Sequence, residues 1–316
     1  MNQLYATLSE ASSNNFSPGW RQTLDEIGGF DLLGERLEER IRGVFERNQI
    51  TPASALNEIA EMFKSLEKFK GAIDKVVSGF NTLNVGAEEL EPGECELGVL
   101  VPREAVENKL NLFGEELQQL SFIFNTFSEL ASGKRENYQI KTISSTDLSI
   151  FLATVAPVAA CIAYAAEKIV EVYKNLLEIK KIKVELKALG LKKKDMSGIT
   201  SYANSFMKEG ITKITVEVVN EFYGGNDESR KNELKNAVKI ALNRMANRID
   251  KGYNIEVRAK PLPEPQEGKE AKVTSKEEQT RKHLTLIKEA SPKLQFLREG
   301  GERILQLPEE AEKKSE

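Results

Sequence analysis

One histidine, two cysteines and 49 carboxylates are the groups from which this chain of 316 residues would have to build catalysis or a metal site. His283 follows a proline-rich, charged stretch and is flanked by Arg281 and Lys282. A general base must be held rigidly against its target, so His283 reads as a surface residue. Cys161 lies in an uncharged apolar run, where a thiolate is poorly solvated, and reads as inert core. Cys95 stands between Glu94 and Glu96, whose charges raise a thiol pKa rather than lower it. A structural zinc site needs four Cys or His ligands and a di-iron bundle needs two histidines, so both are excluded, as is a disulfide framework. Ser-x-x-Lys occurs at Ser65/Lys68 and Ser205/Lys208, both within ordinary amphipathic helix patterns. No phosphate-cradling glycine loop or nucleophile elbow is present. Glu88, Glu89, Glu91, Glu94 and Glu96 crowd around Pro92-Gly93 without the fixed ligand frame of a calcium loop, and read as a solvated turn. These residues support no catalytic, cofactor or metal assignment. The expectation is a protein that is not an enzyme.

Two features point to contact instead. Lys180, Lys181, Lys183, Lys187, Lys192, Lys193 and Lys194 gather at the end of a long helical pattern, where positive charge suits the helix dipole. Arg244 and Arg248 flank a second helix, with Lys231, Lys235 and Lys239 on its other side. These cations form a candidate interaction surface for phosphate or anionic lipid. No aromatic side chain is interleaved among the lysines, which argues against stacking on single strands. With 45 basic and 49 acidic residues the net charge of −4 gives no global pull toward nucleic acid.

The other feature is Leu148 to Ala166, nineteen residues without a charge. Leu148, Phe151, Leu152, Val155, Pro157 and Ile162 mark it as a candidate membrane or oligomer segment, barely long enough to span a bilayer. Pro157, Ser149, Thr154 and seven alanines make it only mildly apolar. It is expected to be the buried first half of a central helix.

Elements that would position these residues are mostly helical, because glycine (21), proline (10) and aromatic residues (7%) are scarce. Residues 1–50 read as short helices, with Leu33, Leu37, Ile41 and Phe45 recurring every four positions. Thr51-Pro52 is a helix start, followed by a stripe of Leu56, Ile59, Phe63, Leu66, Phe69, Ile73, Val77 and Phe80. After a break at 81–96, residues 97–101 read as a buried strand. Pro102 then opens a helix over 104–131 with Val106, Leu110, Phe113, Leu117, Leu120, Phe124 and Phe127 at alternating spacings of four and three. Gly133 is placed to cap it.

A second strand over 138–143 precedes a helix expected from Thr146 to Leu189, roughly 65 Å at ~1.5 Å per residue. Residues 211–219 fit helix better than strand. Residues 228–250 form a helix with Leu234, Val238, Leu242, Met245 and Ile249 on its apolar side. A third strand is expected at 253–259. Residues 261–281 read as a flexible linker, and 282–316 as a charged tail with one short amphipathic segment.

The expected fold is therefore mainly α. Helices at 52–82, 104–131 and 146–189 would form an elongated antiparallel, coiled-coil-like bundle with a small β element. The organisation expected is 1–50, a long-helix bundle at 51–190, a helical subdomain at 196–260, the linker and the tail. Long helices that each bury one stripe leave surface for protein partners or a second copy. The function expected is a non-enzymatic interaction or scaffold protein, oligomeric, within a multicomponent assembly. The first residues carry no basic and apolar signal pattern, so a cytoplasmic location with reduced thiols is expected. Another class of function is a soluble, pore-former-like protein that becomes membrane-active through 148–166. A third is a nucleic-acid-binding module using Lys180–Lys194.

Overall fold

The computed structural model describes residues 2–16, 18–83, 90–144, 148–190, 192, 196–263, 274–294 and 303–310. The chain divides into compact units Met1–Glu89 and Leu90–Glu316, a border that falls inside the expected break at 81–96.

In the first unit four helices are joined by short turns: α1 (Asn2–Ser9), α2 (Pro18–Glu26), α3 (Gly34–Arg47) and α4 (Pro52–Thr82). Asn14 ties α1 to α3. Its Nδ2 donates to the carbonyls of Leu8 (2.8 Å) and Ser9 (3.0 Å) at the end of α1. Its Oδ1 accepts from the Glu35 N–H at 2.8 Å, in the first turn of α3. Gly34 has φ +52°, and any Cβ there would collide with the Asn14 side chain. Pro52 sits in the first turn of α4, but Thr51 makes no cap; its Oγ1 donates to Asn48 Oδ1 instead (3.2 Å). Helix α4 packs on α3; Ala55 is buried, Ile59, Met62, Leu66 and Phe69 are half-buried, and the Phe69 ring lies against Gly29. The rest of its stripe, including Leu56, Phe63, Val77 and Phe80, is exposed.

The second unit is built on four antiparallel strands in the order β2-β3-β1-β4: β1 (Cys95–Val101), β2 (Gln139–Ser144), β3 (Leu148–Thr154) and β4 (Asn254–Ala259). Leu97 lies opposite both Leu152 and Val257, and Val99 opposite Ile150 and Ile255, so one face presents these side chains to the helices. On the other face Gly98 leaves room for the Phe151 ring, over which the Arg258 guanidinium stacks at 4.9 Å. Strand β2 is an exposed edge. A register irregularity between Ile140 and Thr142 and the Lys141–Glu94 ion pair (2.9 Å) discourage further pairing there.

Helices α5 (Leu110–Ser132), α6 (Ala156–Ala188), α7 (Ser197–Phe222), α8 (Glu228–Asp250) and α9 (Ser275–Ala290) cover the inner face, with α6 touching each of the other four. Ala159, Ala160, Ala163, Ala165 and Ala166 are fully buried in α6. Gly210 of α7 lies so close to Val172 of α6 that a Cβ there would stand 2.9 Å from Val172 Cγ1. The molecule is mainly α with a small antiparallel sheet.

Four expectations are corrected. Residues 148–154 are strand, not the start of the central helix. Leu148, Ile150 and Leu152 alternate onto the sheet's inner face, and Pro157 fits only the first turn of α6, where no N–H is needed. The helix expected from 104 begins at Leu110. Pro102 opens a 3-10 turn over Arg103–Val106, and positive φ at Glu107 and Asn108 breaks it from α5. The expected linker is helical from Ser275, where Thr274 and Glu277 form a capping box, while 264–273 lie outside the described residues. The expected charged tail also enters the core beyond its short helical segment: Ile304, Leu305 and Leu307 are buried.

Candidate recognition groove

The apolar stripe of α8 points into the core, which leaves Asn243, Asn247 and Asp250 together on a neighbouring face at spacings of four and three. Against that face lies the 303–310 segment, which is neither helix nor strand. Its main chain has no ladder to join, yet it is held nearly atom by atom. Asp250 Oδ2 accepts from the N–H groups of Ile304 (2.7 Å) and Leu305 (2.8 Å). Asn204 Oδ1, on α7, accepts from Gln306 N–H at 2.7 Å. Asn247 clamps Leu307 at two points, donating to its carbonyl and accepting from its N–H, both at 3.0 Å. Asn243 donates to the Pro308 carbonyl (2.9 Å) and Arg244 to the Glu309 carbonyl through two nitrogens (2.9 and 2.7 Å). At the other end Lys183 donates to the Arg303 carbonyl at 3.2 Å.

Side chains add apolar grip and charge. Ile304, Leu305 and Leu307 bury their side chains while Gln306 faces out, so the groove takes apolar groups at three positions and tolerates any at the fourth. Glu309 Oε1 accepts from Asn247 Nδ2 (2.8 Å), and its Oε2 lies 3.6 Å from Arg248. Beneath the groove, the fully buried Asp250 carboxylate accepts from the Tyr173 hydroxyl (2.6 Å) and pairs with Lys180 (3.3 Å), whose ammonium also donates to the Asp250 carbonyl (3.1 Å). Arg248 is held by both oxygens of Glu116, and Arg244 donates to Gln119 (2.7 Å) with its guanidinium 4.1 Å from the Phe122 ring centre. Burial lowers the Arg244 pKa, and the Glu309 carboxylate opposes that shift.

The expected cationic surface is thus only partly a surface. Lys180 and Arg248 are buried and paired, Arg244 is half-buried, and Lys183 meets the 303–310 segment. Lys181, Lys187 and Lys192 are exposed, and Lys193 and Lys194 lie outside the described residues. A lysine and an arginine enter the interior because each meets a carboxylate there, Asp250 and Glu116. In the uncharged segment, Leu148, Phe151 and Leu152 belong to β3, Val155 is exposed before α6, Pro157 sits in its first turn and Ile162 is core. Among the described residues no helix is long and apolar enough to cross a membrane.

The reactive residue types are scattered. His283 is half-buried rather than a surface residue, because α9 carries it against Phe222, with ring centres 6.3 Å apart and planes at 20°. Burial and then the Lys282 charge lower its pKa. Burial, more than the Glu94 charge, pushes the Cys95 thiol up to about 12, and burial alone raises Cys161. Ser65 donates to the Glu61 carbonyl on the exposed side of α4 (3.0 Å). Glu94 accepts from the Glu91 N–H, and Glu88 and Glu89 lie outside the described residues.

Asn204, Asn243, Asn247, Asp250 and Tyr173 were not legible as site residues from periodicity. The available signal was cost. Asn and Asp are poor residues for a helix interior, and α8 carries several in its last turns beside an apolar stripe. A second signal was the Ile304-Leu305-Gln306-Leu307-Pro308 cluster in an otherwise charged stretch. In comparisons with known proteins, the chain matches no family model, no curated protein and no solved structure.

Proposed function

We propose that the protein is a non-enzymatic interaction protein whose recognition site is the groove of α7 and α8, filled here by its own 303–310 segment. The carrying observation is the two-point clamp of Asn247 on the Leu307 main chain. Side chains that bind main-chain atoms recognise an extended peptide as such, and the apolar positions then select among sequences. When the segment leaves, Asp250 keeps Tyr173 and Lys180, and its Oδ2 and the Asn247 amide pass to water, so release costs only the net worth of the hydrogen bonds and the apolar burial. The reading extends to a cytoplasmic scaffold in a multicomponent assembly, with the exposed stripe of α4 as the surface for a second copy.

Hydrogen exchange tests the recognition reading. The amides of Leu305 and Leu307 should exchange through a local opening well below the free energy of global unfolding, as a displaceable occupant does. Exchange only through global unfolding would make 303–310 permanent core and remove the proposal. Neither other class of function gains support, since 148–154 is strand and Lys180 is buried.

A further inference from the structure

Four successive N–H groups of the bound segment, from Ile304 to Leu307, each end on a side-chain oxygen of Asp250, Asn204 or Asn247. Position 308 is next, and proline has no N–H to offer. One helical turn from Asn247 stands Asn243, 4% exposed. Its Nδ2 donates to the Pro308 carbonyl, while its Oδ1 is buried and has no hydrogen-bond partner among the described residues. Asn247 shows the complete clamp, donor and acceptor on one residue of the peptide. Asn243 makes only half of the same clamp. A buried amide oxygen without a donor is uncommon in folded proteins and asks for an explanation.

Resting on the groove's role as a recognition site, we propose that its intended occupant is a segment of a partner protein with a hydrogen-bearing residue where this chain has Pro308. The partner segment reads apolar, apolar, any, apolar, non-proline, acidic, and its fifth N–H is taken by Asn243 Oδ1. The acid follows from Glu309, whose carboxylate meets Asn247 and Arg248. A second copy of this chain is not that occupant, because it brings the same proline and leaves the same oxygen orphaned. The 303–310 segment is a resident ligand, favoured by its tether and weakened at one position. That weakness lets a complete ligand displace it.

The test uses the full chain carrying Leu305→Asp and Leu307→Asp, which vacates the groove, titrated with labelled peptides of sequence 303–310 bearing proline or alanine at 308. Both should bind, and Asn247→Ala should abolish binding. The alanine-over-proline preference should be roughly tenfold greater on the Asn243 groove than on the Asn243→Ala groove, about the worth of one completed buried hydrogen bond. Comparing the two grooves cancels the stiffening that proline gives the free peptide. A preference equal on both grooves overturns the inference while leaving the recognition site standing; no binding by either peptide overturns both. If the double variant does not fold, Pro308→Ala is made in the otherwise native chain. It should slow exchange of the Leu305 and Leu307 amides, and more so with Asn243 than with Asn243→Ala. Equal slowing, or none, sinks the idea.

Discussion

Asp250 gathers four partners on one buried carboxylate: two N–H groups of the bound segment, the Tyr173 hydroxyl and the Lys180 ammonium. Asp250→Asn removes the carboxylate that, among the described residues, pairs with the buried Lys180 ammonium, and an uncompensated buried charge costs about 3–5 kcal/mol. We expect urea unfolding to show a loss of that order, with part of it recovered in Asp250→Asn/Lys180→Met, where no charge is stranded. A loss below ~1 kcal/mol would mean that water reaches the site. The two free thiols are buried and their pKa values raised, so neither should react with a disulfide reagent at mildly alkaline pH until the chain unfolds. His283 behaves oppositely to a salt-bridged histidine. Its folded pKa lies below its ordinary 6.5, so below that pH the unfolded state takes up the proton first. Stability contributed by the neutral ring is present above about pH 6.5 and is lost as pH falls through the folded pKa. Compared with His283→Phe, the native chain should therefore lose more stability between neutral and mildly acid pH. Parallel pH profiles for the two would refute the assignment.

Among the elements, long periodic helices were the most legible: α4 and α8 stand where the spacing of Leu56 to Phe80 and Leu234 to Ile249 puts them, whereas α7 was legible as helix only over 211–219, where β-branched residues also fit a strand. The strand at 148–154 was hidden, because an apolar run this short fits a buried strand and a buried helix equally, and only the sheet partners decide. Pro157 was the overlooked local clue. Helix α9 had its own, the Thr274-x-x-Glu277 capping box, outweighed by the charge of the surrounding stretch. The groove was illegible for a different reason. Residues 243–250 and 303–309 are far apart in sequence, and main-chain binding leaves no pattern in the bound segment beyond its apolar positions. The close approach at Gly210 is a further contact that only the structure shows. Gly210→Ala should destabilise by about 1–3 kcal/mol through overpacking against Val172, and Val172→Ala in the same chain should restore most of that loss. If Val172→Ala adds a further loss instead, the Cβ is being accommodated elsewhere.

At the scale of the molecule, the two units differ in how much they bury. Among the described residues the first unit's buried apolar side chains are Leu32, Ile41, Val44 and Ala55, whereas one continuous core in the second unit runs from Cys95 to Leu307. Stability follows buried apolar area, so the first unit should be the weaker. Its architecture leans on Asn14, which satisfies main-chain groups of α1 and α3 where few apolar contacts would hold them. Gly34→Ala forces a side chain into a positive-φ position and against Asn14, with a cost of about 1–3 kcal/mol. In a domain of that size each kcal/mol shifts the midpoint by roughly 4–8 °C. Calorimetry of the native chain should then resolve two transitions, and Gly34→Ala should lower only the first. The second transition holds the groove, so Asp250→Asn should lower the second and leave the first in place. A single transition that responds to both substitutions would show that the units unfold together, and the small core of the first would then draw its stability from the second.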